Sequence, residues 1–271
     1  MFLPENIDLA FPEKYILSIR CAPNGFSFSI HSPSDRSVYY HKSAPFGQNI
    51  PIVDQVKKLV FDAGFFSNTF QKTRVIIASP EYSLVPEIYF DKHQAEKLYY
   101  FNFLQDETSR KILFSPINHL PIYLLYSVEE ELHSFLSRHL WNPQFAHSGE
   151  CLIPAFLNHN SEIEENRCYV DFHDEMVSLV AFEGNKLMTA ICFDNKNRYD
   201  AAYFIAGVWE KLAFNQITDF LFFSGNFAQY EGTLKILKKL IRKTIAINLS
   251  PKTMIPENEK GIITTDLLTQ L

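Results

Sequence analysis

Residues 168–196, CYVDFHDEMVSLVAFEGNKLMTAICFDNK, decide the fold of this protein. Three short runs of strand-forming residues are separated by the turn-forming segments HDE and EGN, which predicts strands at 168–172, 176–182 and 187–193. The next residues, RYDAAYFIAGVWEKLAF, place apolar side chains at helical spacing. The apolar run FLFFS at 220–224 is too short for a helix and predicts a buried strand. The predicted order is strand, strand, strand, helix, strand.

The same order occurs near the N-terminus, about 150 residues earlier. Short strands are predicted at 15–19, 25–30 and 37–41, because turn-forming residues separate these three runs. A helix follows at 51–66, with Pro at a first-turn position, and RVIIAS at 74–79 predicts a buried strand. Strands followed by alternating helix and strand favour a mixed sheet flanked by helices. The chain is therefore predicted to be an α/β protein built by duplication.

The two copies predict two lobes. Lobe one is expected at 1–160, with an inserted subdomain at about 82–128, and lobe two at 167–271. Local patterns predict the remaining elements. These are a helix that starts at Asp91 and runs through 92–105, strands at 111–116 and 121–128, a helix at 129–140, an extended or mixed stretch GECLIPAFL at 149–157, a helix at 229–241, a strand at 244–249, and a terminal helix capped by Thr264.

The composition excludes several classes of protein. A net charge of −6 and a pI near 5.9 argue against binding to nucleic acid or to anionic membranes. The longest apolar runs are too short to span a bilayer, and the N-terminus lacks the pattern of a signal peptide. The four cysteines form no C-x-x-C pair, which is typical of reduced, mostly buried thiols. We expect a cytoplasmic protein without a membrane span.

The duplicated meander, each copy followed by a helix and a buried strand, resembles the actin-like ATPase superfamily. That superfamily includes actin, Hsp70-type chaperones, sugar kinases, and bacterial pilus-assembly and cell-division proteins. The chain is identified as a member of an uncharacterised bacterial family, a domain of unknown function that has been assigned an actin-like ATPase fold. The resemblance implies a duplicated, ribonuclease H-like, two-lobed fold. It implies no particular activity.

The resemblance also implies where a nucleotide would bind. Active members of the superfamily have a phosphate hairpin similar to D-x-G-x-x-(S/T) in each lobe, whose carboxylate orders water around Mg²⁺. In lobe one, Ser18 or Arg20 takes the place of the aspartate and only Gly25 remains. In lobe two, Asp171 is kept, but His173 replaces the glycine. The alternative role of Asp171 is to cap backbone N–H groups of its hairpin.

Two further acidic residues and one hydroxyl follow Asp171 in the second hairpin. Asp174 and Glu175 would repel a triphosphate unless a cation intervened, and Ser178 falls on the next strand. These residues weaken the prediction of a phosphate site in lobe two.

The adenosine-binding element of the superfamily resembles a strand followed by G-G-x-(S/A). The matching stretch here is FLFFSGNFAQYEG, where Ser224 replaces the first glycine, Gly225 keeps the second, and Phe227 brings a large side chain. A Ser-Gly turn between strand and helix also occurs without any ligand. The resemblance implies that Mg-ATP or ADP would be bound by Asp171, His173, Ser224, Gly225 and Asn226.

Three functions are compatible with these degenerate motifs. The first is a non-catalytic binding or scaffold module, a pseudoenzyme with a vestigial ligand cleft. The second is a divergent ATPase or phosphotransferase that uses Mg-ATP in an interlobe cleft, with Asp171 holding Mg²⁺ through water and Glu81 as base. In that second case the alternative for Glu81 is a solvated loop acid. The third is an interaction protein whose cleft is filled by side chains such as His173 and Phe227.

A protein partner is the remaining prediction. The segment KLYYFNFL has apolar side chains around nearly all of its helical circumference, so it is either buried on several sides or offers one side to a partner. The residues predicted to contact a partner through this insertion helix are Leu98, Tyr99, Tyr100, Phe101 and Phe103.

Overall fold

The computed structural model describes residues 6–47, 50–65, 68–105, 108–173, 175–195, 200–249, 251, 253–255 and 262–271. The chain forms two compact units. The first unit comprises Met1–Glu150, Pro251–Glu257 and Gln270–Leu271, and the second comprises Cys151–Ser250 and Asn258–Thr269. The predicted lobe boundaries, 1–160 and 167–271, stay a prediction.

The main sheet of the first unit has the order β3-β2-β1-β4-β8. The first three strands form an antiparallel meander, β4 runs parallel to β1, and β8 runs parallel to β4. The strands are β1 (Ile16–Ala22), β2 (Gly25–His31), β3 (Tyr39–Pro45), β4 (Lys72–Ile77) and β8 (Pro143–His147). Helix α1 (Ile52–Asp62) connects β3 to β4 and buries Val53, Val56 and Val60. Helix α1 is therefore shorter than the helix predicted at 51–66, and residues 66–67 lie outside the described part.

The insertion forms a separate three-stranded antiparallel sheet in the order β5-β7-β6. Its strands are β5 (Tyr82–Pro86), β6 (Arg110–Pro116) and β7 (Ile122–Glu129), and α3 (Glu130–His139) follows. Helix α2 (Ala95–Tyr100) packs on this sheet. The long helix predicted from Asp91 to residue 105 is wrong in length, because Asp91 caps only a 3-10 turn at Lys92–Gln94 and α2 ends soon after.

Helix α4 (Ser148–Asn158) follows β8 and corrects the extended or mixed stretch predicted at 149–157. Pro154 lies inside this helix and removes one backbone donor, which is the signal that favoured an extended chain. Burial outweighs that cost, because Leu152, Ile153 and Phe156 are almost fully enclosed.

Glu150, in the first turn of α4, should make the stability of the protein depend on pH. Burial raises the pKa of Glu150 to about 7, against opposing effects of the His147 N–H, Ser115 and Arg74. The pKa of Glu150 is higher in the folded protein than in the unfolded chain. Ionisation of Glu150 therefore lowers the free energy of unfolding as the pH rises from about 4.5 to about 7. We expect Glu150→Gln to stabilise the protein by roughly 2 kcal/mol at pH 8 and hardly at all at pH 4. Urea unfolding at both pH values measures this, and a pH-independent difference would contradict it.

The second unit repeats the topology of the first, with the sheet order β11-β10-β9-β12-β13. Its strands are β9 (Arg167–His173), β10 (Met176–Glu183), β11 (Lys186–Asp194), β12 (Phe220–Gly225) and β13 (Lys243–Ala246). Again a meander of three antiparallel strands is followed by two parallel ones. The duplication predicted from the sequence is confirmed.

Helices α5 (Asp200–Lys211) and α6 (Glu231–Leu240) follow β11 and β12, and α7 (Thr265–Leu268) lies near the C-terminus. One face of the sheet contributes Val170, Phe172 and Leu179 to a core that also contains Trp209 of α5. Because side chains alternate along a strand, Asp171 and His173 point to the opposite face. The strand predicted at 244–249 ends at Ala246. In the part of the chain that is described, no helix has the length and apolar character needed to cross a membrane.

Candidate functional site

Asp171 lies in β9, between Ser178 of β10 and Ser224 of β12 in the register of the sheet. Its carboxylate accepts a hydrogen bond from the Ser224 hydroxyl at 2.6 Å. The same oxygen, Oδ1, accepts a second hydrogen bond from the Thr265 hydroxyl of α7. Only 1% of Asp171 is exposed. The carboxylate is therefore held by hydroxyl groups of its own chain.

Burial raises the pKa of Asp171, against the opposing effects of His173 and of the two hydroxyl donors. A carboxylate that orders the water shell of Mg²⁺ has to contact that shell. Asp171 is almost fully enclosed and its Oδ1 is already bonded twice, so it does not fit this task. Within the described ranges, no three His, Cys, Asp or Glu side chains come together in a group able to hold a metal ion.

His173 occupies the end of β9, where the superfamily pattern has glycine. Its Nε2 lies 3.0 Å from the Ser178 hydroxyl, and 5% of the residue is exposed. The imidazole therefore fills space next to Asp171 that a glycine would leave open. Glu175 is exposed and adopts a positive φ of 61°, and Asp174 lies outside the described residues.

Gly225 brings the turn after β12 against the end of β9. Its φ is +77°, and a Cβ at this position would lie 2.2 Å from the Phe172 carbonyl oxygen and 2.9 Å from Asp171 Oδ1. The next residue, Asn226, donates its backbone N–H to the same Phe172 oxygen at 2.8 Å. The glycine is thus required by this close approach of two backbones.

A cavity of about 350 Å³ lies beside this turn. The turn residues Ser224–Ala228 form one wall, the last residue of β13 and residues 247–249 after it form another, and Ile263, Thr265 and Leu268 complete it. The structure thus brings Asp171, Ser224 and Gly225 together and places Asn226 at the cavity, and their role in binding a cofactor stays a prediction. Thr265 was not predicted as a site residue, because the segment ITTDLL signals only the start of a helix.

The hairpin of the first unit carries the opposite charge. Arg20 lies two residues before the end of β1 and pairs with Ser27, and Asp171 lies two residues before the end of β9 and pairs with Ser178. Arg20 therefore holds the position equivalent to Asp171, and only 3% of it is exposed. Ser18, the other predicted substitute, is fully buried one pair further along the same face.

Glu81, the predicted base, belongs to the first unit, whereas Asp171 belongs to the second. Glu81 is exposed, and its carboxylate accepts a hydrogen bond from the Tyr99 hydroxyl at 3.3 Å. These contacts are those of a partly solvated loop acid. Its catalytic role stays a prediction.

The insertion helix is mostly a core element. Tyr99 is 1% exposed and bonds the Ser127 hydroxyl at 2.9 Å, while Leu98, Tyr100 and Phe103 pack against the same cluster. Four of the five residues predicted to contact a partner therefore stabilise the inserted sheet, and a partner contact through this helix stays a prediction. Phe101 remains, with 88% of its surface exposed.

Comparisons with known proteins agree with this architecture. A crystal structure from Bacteroides thetaiotaomicron VPI-5482, described as a protein with actin-like ATPase fold and unknown function, is 24% identical with a TM-score of 0.83 and covers 89% of this chain and 94% of its own. The PilM-PilN type IV pilus biogenesis complex is 10% identical with a TM-score of 0.63, covering 95% and 97%. No curated protein matches the sequence.

Both structural likenesses are below 25% identity and show the fold alone. The family model described as "Protein of unknown function (DUF3822)" matches residues 4–244. This match spans most of the chain, and the topology agrees with that of the structural relatives. The chain belongs to the DUF3822 family and has the actin-like ATPase fold.

Proposed function

We propose that this protein is a non-catalytic binding or scaffold module that keeps the actin-like fold without ATP turnover. The observation that carries the proposal is the state of Asp171, whose carboxylate is enclosed and bonded by the hydroxyls of Ser224 and Thr265. Hydrolysis of ATP depends on Mg²⁺ and a positioned water or base, since its catalysis is mostly positioning and electrostatics. Arg20 at the equivalent place in the first unit supports the proposal, because it cannot replace an acidic group beside Mg²⁺.

A protein partner fits the scaffold part of the proposal. PilM, a protein of the same fold, is found in a complex with PilN. In this chain, large apolar side chains are exposed on the inserted subdomain, namely Ile88, Tyr89, Phe101 and Leu104. Contiguous apolar surface is typical of protein contact sites, and these four residues are our candidates for one. We place the protein in the cytoplasm, which is supported by its four free cysteines.

Calorimetric titration of Mg-ATP and Mg-ADP into the wild type and Asp171→Asn tests the proposal. We expect no binding tighter than about 100 μM, which corresponds to about 5.5 kcal/mol, in either protein. The matched control is Asp219→Asn, because Asp219 is another buried aspartate of the second unit, bonded to Asn166 and Asn215. Tighter binding that Asp171→Asn abolishes and Asp219→Asn retains would support the alternative, a divergent ATPase or phosphotransferase.

A further inference from the structure

We infer that the cavity beside the Ser224–Ala228 turn binds an uncharged small molecule that carries hydrogen-bond donors, and that it rejects phosphates and carboxylates. The inference rests on the proposed function, because it names the ligand class of a binding module. Its basis is the polarity of the cavity wall and the direction of two hydrogen bonds.

The first observation is the absence of charge in the wall. Among the described residues that line the cavity, none has an ionisable side chain. The polar side chains are Ser224, Asn226, Asn248 and Thr265, and the others are apolar or small. An anion placed against these described residues would lose its hydration without gaining a cationic side-chain partner from them, which is unfavourable.

The second observation is the orientation of the two hydroxyls. Ser224 and Thr265 both donate their hydrogen to Asp171 Oδ1, so each has only oxygen lone pairs left for a ligand. A proton bound to the other oxygen, Oδ2, would not reverse this, because both hydroxyls share Oδ1. The buried side of the cavity is therefore an acceptor, and a ligand must bring N–H or O–H groups to it.

The same geometry explains why anions are rejected. Fully ionised phosphate and carboxylate groups offer acceptors only, and at this side of the cavity they would face the lone pairs of Ser224 and Thr265 with Asp171 directly behind. Asn226 and Asn248 supply amides that both donate and accept. Phe227 and Leu268 add apolar contact for the body of the ligand. The volume of about 350 Å³ lies at the lower end of the usual range for small-molecule sites.

Matched pairs of small aromatic compounds test this ligand class. Benzamide and benzoate have the same shape, as do nicotinamide and nicotinate, but only the amides carry N–H donors. We expect the amides to cause saturable NMR shifts at 224–228, 246–249 and 263–268 of the full chain, and the carboxylates to bind at least about tenfold more weakly. Carboxylate binding of equal or greater strength would overturn the inference, as would the lack of saturable shifts with all four compounds.

Two variants locate the effect. Thr265→Val keeps the side-chain volume but removes one acceptor, so amide affinity should fall about tenfold. Thr218→Val is its control, because Thr218 is an exposed threonine of the same unit that does not line the cavity. If Thr265→Val does not fold, Ala228→Phe, at an exposed residue of the wall, should block the amides. Unchanged amide binding in Ala228→Phe would overturn the assignment to this cavity. Mg-ATP titration decides the proposed function separately, so the two can fail independently.

Discussion

Gly225→Ala should lower the free energy of unfolding of the second unit by at least about 3 kcal/mol. The φ of +77° is strained for any residue with a Cβ, and the new methyl group would meet the Phe172 carbonyl oxygen at 2.2 Å. Moving the turn away would break the hydrogen bond from Asn226 N–H to the same oxygen. It would also weaken the hydrogen bond that the Ser224 hydroxyl donates to Asp171. The expected loss therefore combines backbone strain with two weakened hydrogen bonds.

Fluorescence of Trp209 in urea measures this loss. Trp209 is 4% exposed in the core of the second unit, whereas Trp141, the other tryptophan, belongs to the first. A Trp141→Phe background makes the signal specific. Gly184→Ala is the control, because Gly184 has a φ of +55° but no atom within 4 Å of an added Cβ. It should cost only about 1 kcal/mol. Equal losses in the two variants would mean that the close approach to Phe172 contributes nothing.

Arg167→Met should destabilise the second unit by about 3 to 5 kcal/mol. Arg167 is fully buried, and its guanidinium donates to the carbonyl oxygens of His159, Asn160 and Gly184 at 2.5–2.8 Å and to the Asn185 side chain at 3.2 Å. These bonds join the segment before β9 to the turn between β10 and β11. Methionine fills similar space but leaves buried acceptors without donors, which is the main cost.

Arg167→Lys, in the same fluorescence assay, distinguishes the contribution of the positive charge to stability from that of the several hydrogen bonds. Lysine keeps the positive charge but lacks the planar fork that reaches several acceptors at once. We expect an intermediate loss. A free energy of unfolding of Arg167→Met within about 1 kcal/mol of that of the wild type would contradict our account. It would mean that the hydrogen bonds of Arg167 do not stabilise this end of the sheet.

The repeated strands could be predicted because each is short, apolar and bounded by turn residues. The three strands around Asp171 begin and end within one residue of the predicted bounds. Helix α4 could not be predicted in the same way, since Pro154 argues locally against the helix that burial of Ile153 and Phe156 stabilises. Local pattern works where backbone and packing favour the same structure.

The site was predictable only in part. Asp171, Ser224 and Gly225 were found from a motif, and the sheet register places them together. The decisive contact is with Thr265, which lies 94 residues from Asp171 in the chain and belongs to a four-residue helix with no motif of its own. Nothing in a local pattern links such residues. The enclosure of Asp171, on which the proposed function depends, is a tertiary property.

Phosphate release from Mg-ATP, with the protein in excess over nucleotide, tests the central claim most directly. A single turnover is then visible even for a slow enzyme. We predict that the wild type and Asp171→Asn both release phosphate at the rate of the buffer blank. The reason is that the Asp171 carboxylate is buried and already accepts hydrogen bonds from the hydroxyls of Ser224 and Thr265. Release by the wild type above the blank, removed by Asp171→Asn and retained by Asp219→Asn, would contradict the claim and identify an active ATPase.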